Sequence, residues 1–512
     1  MRPSLPLLAA LLVSGALLAG CADDGRSPAP EPSQTALPVH PLAGTIEPEG
    51  LDAPTFRLIG PLARTGPVYG GGEPSVSAGM DGRLYVAFPG CDRGFYLVDV
   101  PGQQTCDHGL VYRSADDGAT WQRLNREGDG RYDDGEEGPA ANGDAEVAVD
   151  AAGTVYASNL GAGGIQVHRS DNGGTSWTYL GNATESGESA DRQWMAAAAP
   201  GHLIVTWMGS ETDGDGVNQT RAVVVNTTFD GGATWTGALA LGKEIGWLGP
   251  VQFAPDGRTA YIPFTQVEEA TPAILVGTQT FSMRVARTLD GGATWEVLDT
   301  GARWDSVASG GHWSGVLMAP ALDVTGDGAI VLAYAVDRED PAAAVLALGT
   351  ELRMLASLDG GSTWTPSQVL AVPSPLGMEQ RPGSPIMPWV TGGAGDRFAI
   401  TYLLGTTVTD SDYEGTTWDV RAMAVDGLRS GSLAVADGLV QEAVHQGAVC
   451  SRGGACLLTG SDRAILDFFK SDVTPDGRII VAYPSDPLQG GKTIDIRVAI
   501  QDGGTFLLQR PA

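Results

Sequence analysis

The sequence predicts an all-β protein, a seven-bladed β-propeller of four-stranded antiparallel blades, with a six-bladed ring as the alternative. Three observations carry this. Glycine makes up 72 of 512 residues, about twice the usual share, with no three-residue period, so the chain is rich in turns. An eight-residue segment ending in Thr-Trp or Ser-Trp recurs five times, with its tryptophans 56, 58, 60 and 69 residues apart. A short apolar segment that follows a Gly or Asp turn recurs seven times between about residues 70 and 512.

The first repeat reads as a hairpin turn. Its copies run from Ser114 to Trp121, Ser170 to Trp177, Thr228 to Trp235, Thr288 to Trp295 and Ser357 to Trp364. An Asp or Asn at the third position can accept bonds from turn N–H groups. The glycines that follow supply backbone angles closed to other residues. The tryptophan packs on the hairpin as the strand resumes. One carboxylate per turn is too few for a calcium ion. Ser411 to Trp418 has the same outline with Tyr413 in place of the Asp, a degenerate copy or a chance match. A seventh unit keeps only Asp502-Gly503-Gly504.

The second repeat supplies strands: 82–88, 153–157, 201–207, 257–262, 328–334, 396–402 and 477–483. Each follows another apolar stretch, which makes a hairpin. About 60 residues with four short strands is the size of a propeller blade, and blades must close into a ring to bury their faces and edges. Phe56-Arg57-Leu58-Ile59 precedes the first unit and is expected to complete the last blade.

At the N-terminus, Arg2 is followed by an apolar run from Leu5 to Leu18, the pattern of a secretory signal and too short to span a membrane. Leu18-Ala19-Gly20-Cys21 resembles the bacterial lipoprotein cleavage box. That resemblance implies Cys21 as the lipidated first mature residue, in the cell envelope. Residues 21–52 carry Pro28, Pro30, Pro32, Pro38, Pro41 and Pro48, the composition of a semi-extended tether. The expected organisation is a signal peptide over 1–20, a tether over 21–52 and a single propeller over 53–512.

Four further cysteines, Cys91, Cys106, Cys450 and Cys456, form an even set in an exported chain, which suggests disulfides. Three pairings are open; local pairs, Cys91 with Cys106 and Cys450 with Cys456, are favoured. Neither pair has metal-site spacing. The net charge of −30 argues against nucleic acid and anionic lipid as partners. No cofactor is expected, save a weak calcium possibility at the acidic loops 129–137 and 211–215. A monomer is expected.

The eight-residue turns resemble the Asp-box, or bacterial neuraminidase repeat, of sialidases and related propellers, over residues 70–512. That family's sialidases use an arginine triad, an Asp acid/base and a Tyr nucleophile activated by Glu. Here Gly72 stands where the first arginine is expected, and Phe468 stands at the Tyr position. The acid/base position falls before the first turn, near Asp92 and Asp107. The resemblance therefore implies a sialidase-like fold without a standard sialidase site.

Propellers bind ligands where the strands nearest the axis begin. The residues just ahead of these strands include Glu73, Asp144, Glu146, Asp191, Arg192, Trp194, Trp247, His312, Trp313, Arg381, Trp389, Asp467 and Lys470. Aromatic faces among carboxylates and Arg suit sugars, and paired carboxylates suit acid/base hydrolysis. The competing reading packs each of these residues between blades. Asp107, Glu73 and Asp467 are the catalytic candidates. Asp191, Arg192, Trp194, Trp247, His312, Trp313, Arg381 and Trp389 are the binding candidates. The expected function is glycan binding or hydrolysis at the hub; the alternative is a non-catalytic propeller that binds a cell-surface protein.

Overall fold

The computed structural model describes residues 50–65, 72–90, 108–124, 144–161, 164–184, 188, 190–212, 219–271, 276–309, 312–313, 319–338, 349–373, 383–406, 416–447, 449, 465, 467–486 and 494–508. The leader, the tether up to residue 49, all five cysteines, Asp92, Asp107, Arg381 and the acidic loop 129–137 lie outside these residues, as do residues 213–218, which include most of the second acidic loop.

Seven antiparallel sheets follow one another along the chain. Blade 1 holds β2 (Ser75–Ala78), β3 (Leu84–Gly90), β4 (His108–Ser114) and β5 (Gln122–Arg123). Blade 2 holds β6 (Ala145–Val149), β7 (Val155–Gly161), β8 (Gly164–Ser170) and β9 (Thr178–Asn182). Blade 3 holds β10 (Asp191–Ala199), β11 (His202–Thr212), β12 (Gln219–Thr228) and β13 (Leu239–Lys243). In blade 4 the inner position is split between β14 (Ile245–Leu248) and β15 (Gln252–Phe253), both paired to β16 (Ala260–Thr271); β17 (Val276–Thr288), β18 (Glu296–Ser309) and β19 (His312–Trp313) complete it. Blade 5 holds β20 (Ala321–Val324), β21 (Ile330–Asp337), β22 (Thr350–Ser357) and β23 (Gln368–Leu370). Blade 6 holds β24 (Ser384–Gly392), β25 (Phe398–Gly405), β26 (Thr417–Asp426) and β27 (Ala434–Gln446). Blade 7 takes β28 (Lys470–Val473), β29 (Ile479–Ser485) and β30 (Ile494–Gly503) from the C-terminal part of the chain, and β1 (Thr55–Thr65) from the N-terminal part.

The ring has seven blades, and the six-bladed alternative is overturned. The inner strands touch in a closed cycle, β2 to β6, β10, β15, β20, β24, β28 and back to β2. Seven apolar clusters fill the seven gaps between blades. Val86 and Phe88 meet Ile480 and Ile496 across the first and last blades, for example, and Met423 and Phe398 meet Val331 and Met354 across the sixth and fifth. Strand residues therefore alternate between two apolar neighbours, which explains why the second strand of each blade is almost uniformly apolar. Each such Val, Leu or Ile contributes about 1.5–3 kcal/mol when buried.

Closure is by hydrogen bonding. β1 pairs antiparallel with β30, Phe56 opposite Gln501 and Ile59 opposite Val498. Around the junction, Thr55 Oγ1 donates to Asp502 Oδ1 (2.7 Å), and the backbone N of Thr505 donates to the Asp52 carbonyl (3.0 Å). The Asp502-Gly503-Gly504 remnant thus sits where a third-to-fourth-strand turn would be, with the fourth strand supplied from the other end of the chain.

The five Trp turns all join the third and fourth strands. Thr228 Oγ1 donates to Asp230 Oδ1 (3.0 Å) and accepts the Gly232 N–H (2.8 Å). The same carboxylate accepts the Thr234 N–H (2.8 Å) and hydroxyl (2.6 Å). Gly232 has φ +87°, and a Cβ there would lie 2.5 Å from Leu180 Cβ of the preceding blade, so both angle and space demand glycine. These turns also couple neighbouring blades. Arg57, Arg113, His202 and Arg287 each donate from the preceding blade to a turn carbonyl, of Asp117 (2.8 Å), Gly173 (2.5 Å), Gly291 (2.7 Å) and Gly360 (2.5 Å). The Ser411–Trp418 segment is a chance match: Trp418 lies inside β26, the third strand of blade 6. The turn of that blade that corresponds to the others begins at Asp426-Gly427.

Inner strands start at one end of the ring and run to their hairpin turns at the other. The Trp turns share the hairpin-turn end, which leaves the strand starts to form a separate surface.

Thr288 is buried, accepts the Gly292 N–H (2.8 Å) and donates to Asp290 (2.8 Å). Thr288→Val keeps the shape, orphans the Gly292 N–H and removes one of the bonds to Asp290, which keeps those from Thr294. It is expected to lower stability by about 1–3 kcal/mol, read as a shifted urea midpoint with unchanged slope.

Stability also depends on pH. Burial pushes the Asp323 carboxyl up to about 7, against the opposing pull of the Gly392 and Val324 N–H groups. A raised carboxyl favours the folded state below its unfolded value and loses that contribution as pH climbs through the folded value. Asp290 is held down to about 2 by the Thr294 hydroxyl and N–H, so its contribution is lost as pH falls towards 2. These two groups place the peak of the melting temperature at about pH 4, the unfolded carboxyl value, with a decline on both sides. Thermal melts followed by circular dichroism check this, and Asp323→Asn should flatten the alkaline limb.

Candidate functional site

Near the starts of four inner strands a non-glycine residue lies in the left-handed region: Glu73 (φ 55°) ahead of β2, Arg192 (φ 53°) in β10, Glu244 (φ 54°) ahead of β14 and Met387 (φ 52°) in β24. Such angles cost about 1–3 kcal/mol each and persist only where the surroundings impose them. In blades 3 and 6 the ladder breaks at the same place. Pairing skips from Asp191 to Trp194 and from Ile386 to Trp389, so a two-residue bulge turns each tryptophan towards the hub.

These bulges bring charged groups of four blades together. Glu73 and Asp144 are hydrogen-bonded carboxyls. Burial, then the charges of Asp144 and Asp467, push Glu73 well above the carboxylate range, and Arg192 opposes them only in part. Burial also raises Asp144, with the Glu73 hydrogen bond pulling the other way. Of the two, Glu73 is the acid whose protonated form these surroundings favour more strongly. Beside it, the Arg192 guanidinium forms a buried ion pair with Asp467 and stands 4.3 Å over the ring of Trp247. Lys470 forms a second buried ion pair with Glu146, its Nζ 4.9 Å from the Trp389 ring centre. Burial raises the Glu146 carboxyl, and Lys470 counters it.

Buried polar atoms without a hydrogen-bond partner in these strands include Glu146 Oε2, Ser158 Oγ, Asn159 Oδ1, Arg192 Nη1 and Gln193 Oε1. Ser158 sits opposite Glu146 in the β6–β7 ladder, and the Gln193 amide donates to the Asp144 carbonyl. Buried groups of this kind are normally satisfied, so the site has hydrogen-bonding capacity in reserve, both donor and acceptor.

A cavity of about 210 Å³ occupies the axis, with walls from all seven blades, among them Ser77, Val147, Ala196, Gln252, Asp323, Trp389 and Asp472. Asp323 accepts the Gly392 N–H (2.7 Å) and Asp472 the Ala78 N–H (2.8 Å), each carboxylate bridging to the next blade's inner strand. Among the described residues, no group of three or more His, Cys, Asp and Glu side chains is placed to hold a metal ion.

The structure brings together Glu73, Asp467, Asp191, Arg192 and Trp247 from the sequence candidates. Asp191 is exposed and Trp247 half-buried, so both stand at the mouth. Trp194 and Trp389 are buried, 5.5 Å apart between ring centres, and Trp194 lies 4.6 Å from Phe468. They pack the hub beneath the charges. His312 and Trp313 form a short strand against the end of β18, the fourth strand of blade 4, rather than the start of an inner strand. Asp107 and Arg381 lie outside the described residues. Sequence reasoning passed over the bridging acids Asp323 and Asp472. Both begin an Asp-Val-Thr-x-Asp-Gly run, 323–328 and 472–477, an acid inside an apolar strand that recurs at one offset from the turn.

No protein-family model matches the chain, and no curated protein does. Solved structures similar to it include an α-L-arabinanase of Penicillium chrysogenum complexed with arabinobiose, at 15% identity and TM-score 0.37 over 69% of this chain and 93% of that one. An α-L-arabinofuranosidase of Fusarium graminearum matches at 13% identity and TM-score 0.38, over 77% and 98%. A Trypanosoma rangeli sialidase matches at 12% identity and TM-score 0.36, over 85% and 55%. Likeness at this level assigns neither substrate nor reaction.

Lys470→Met would strand the Glu146 carboxylate and is expected to cost about 3–5 kcal/mol, while the double change Glu146→Met with Lys470→Met should regain most of that. A double-mutant cycle in urea measures the difference.

Proposed function

We propose that this chain is an exported, lipid-anchored propeller that acts as a monomer, binds a glycan at the strand-start end of its hub and hydrolyses a glycosidic bond there. The observation that supports the reading most strongly is one cluster holding both a hydrogen-bonded carboxyl pair and several unpartnered hydrogen-bonding atoms. Sugar hydroxyls both donate and accept, which matches Glu146 Oε2 and Gln193 Oε1 as acceptors and Arg192 Nη1 as donor. Trp247 adds an aromatic face at the mouth.

In this reading Glu73 gives its proton to the leaving oxygen as the glycosidic C–O bond breaks. The Asp467 carboxylate steadies positive charge developing on the sugar ring. A water adds to the anomeric carbon, and its proton returns to the Glu73–Asp144 pair. No cofactor enters these steps. A standard sialidase site fits poorly, because Gly72 and Phe468 offer neither the guanidinium nor the hydroxyl that such a site needs. The leader ending at Cys21 supports envelope anchoring.

A panel of aryl glycosides tests the activity. Glu73→Gln is expected to lower kcat on the active member at least about 100-fold with the melting temperature largely kept. Activity should fall as pH rises through the elevated Glu73 value, since the proton donor is then lost. Absence of turnover on every sugar by well-folded protein would return the molecule to the non-catalytic reading. Cys21→Ala should abolish incorporation of labelled fatty acid and release the protein from membranes.

A further inference from the structure

We infer that the hub site admits uncharged sugars and rejects acidic ones, with the exposed Asp191 at its mouth as the specificity-determining residue; this rests on the glycan reading above. The charge balance of the cluster carries it. Arg192 is paired with Asp467 and Lys470 with Glu146, so each cation is already neutralised by a buried partner. Among the described residues, what remains is the negative charge of the Glu73–Asp144 pair and of Asp191. Both acids of the pair and Asp191 act on the Arg192 guanidinium.

A sugar carboxylate in this site would face those two uncompensated charges. Its natural clamp would be a guanidinium presenting two parallel N–H groups. Arg192 already commits an Nη2 donor and its charge to Asp467, and its buried Nη1 is left without a partner. One unpartnered nitrogen already close to a paired carboxylate, with acceptors at Glu146 Oε2 and Gln193 Oε1, suits hydroxyl groups. All three of these residues are at least nine-tenths buried. Exclusion by like charge is a recognised route to specificity, and Asp191 is the member of the set that an incoming ligand meets first, since it alone is exposed.

The test compares matched neutral and acidic oligosaccharides, galacto- with galacturono- and gluco- with glucurono-oligomers, by titration calorimetry on the full mature chain. The neutral member is expected to bind at least about tenfold more tightly at low salt, with the gap narrowing as salt is added. Asp191→Asn, a change at an exposed position, should also narrow it. Equal or tighter binding of the acidic member overturns the inference, and so does a gap that Asp191→Asn leaves unchanged. Failure of both classes to bind overturns the glycan reading itself, and the inference with it, a result distinct from binding without discrimination.

Discussion

Hydrogen bonding between β1 and β30 is the constraint on which the structure depends. Every blade presents one face to each neighbour, so seven sheets in an open arc would leave two apolar faces and a bare strand edge in water. Pairing Phe56 to Ile59 with Val498 to Gln501 converts the arc to a circle, and all seven apolar clusters then exist at once. An edge strand left unpaired would invite association with another chain. The Trp turns reinforce closure locally: side chains of one blade donate to turn carbonyls of the next, so neighbouring blades are joined by hydrogen bonds as well as by packing.

Closure also explains how the hub sustains what it contains. Left-handed backbone at Glu73 and Arg192, two buried ion pairs and a hydrogen-bonded carboxyl pair are each unfavourable alone. Inner strands fixed from both sides cannot relax to relieve them. The bridging carboxylates of Asp323 and Asp472 add to this fixity by tying one inner strand to the next. Groups held this way keep their unpartnered atoms in place, the kind of pre-organisation on which the proposed site would draw.

Much of the fold was legible because the physics of each blade is local. The Trp turns need Asp, Gly and Ser or Thr at fixed places, so they recur visibly, and the second strands need unbroken apolar character. Even the closing strand around Phe56 could be recognised. The match at Ser411–Trp418 misled because composition alone does not reveal whether a turn joins the second and third strands or the third and fourth. At the site, Glu73, Asp191, Arg192 and Asp467 were identifiable from their positions ahead of inner strands. The partnership of Arg192 with Asp467, 275 residues away, was not, nor was the burial that turns Trp194 and Trp389 into packing.

The sequence by itself determined the repeat, the strand-and-turn grammar and the all-β class, because those follow from angles and periodicities confined to a few residues. The tertiary structure alone decided which charges meet and which tryptophan faces the mouth. Those outcomes depend on distances across the axis, between residues that only ring closure brings together.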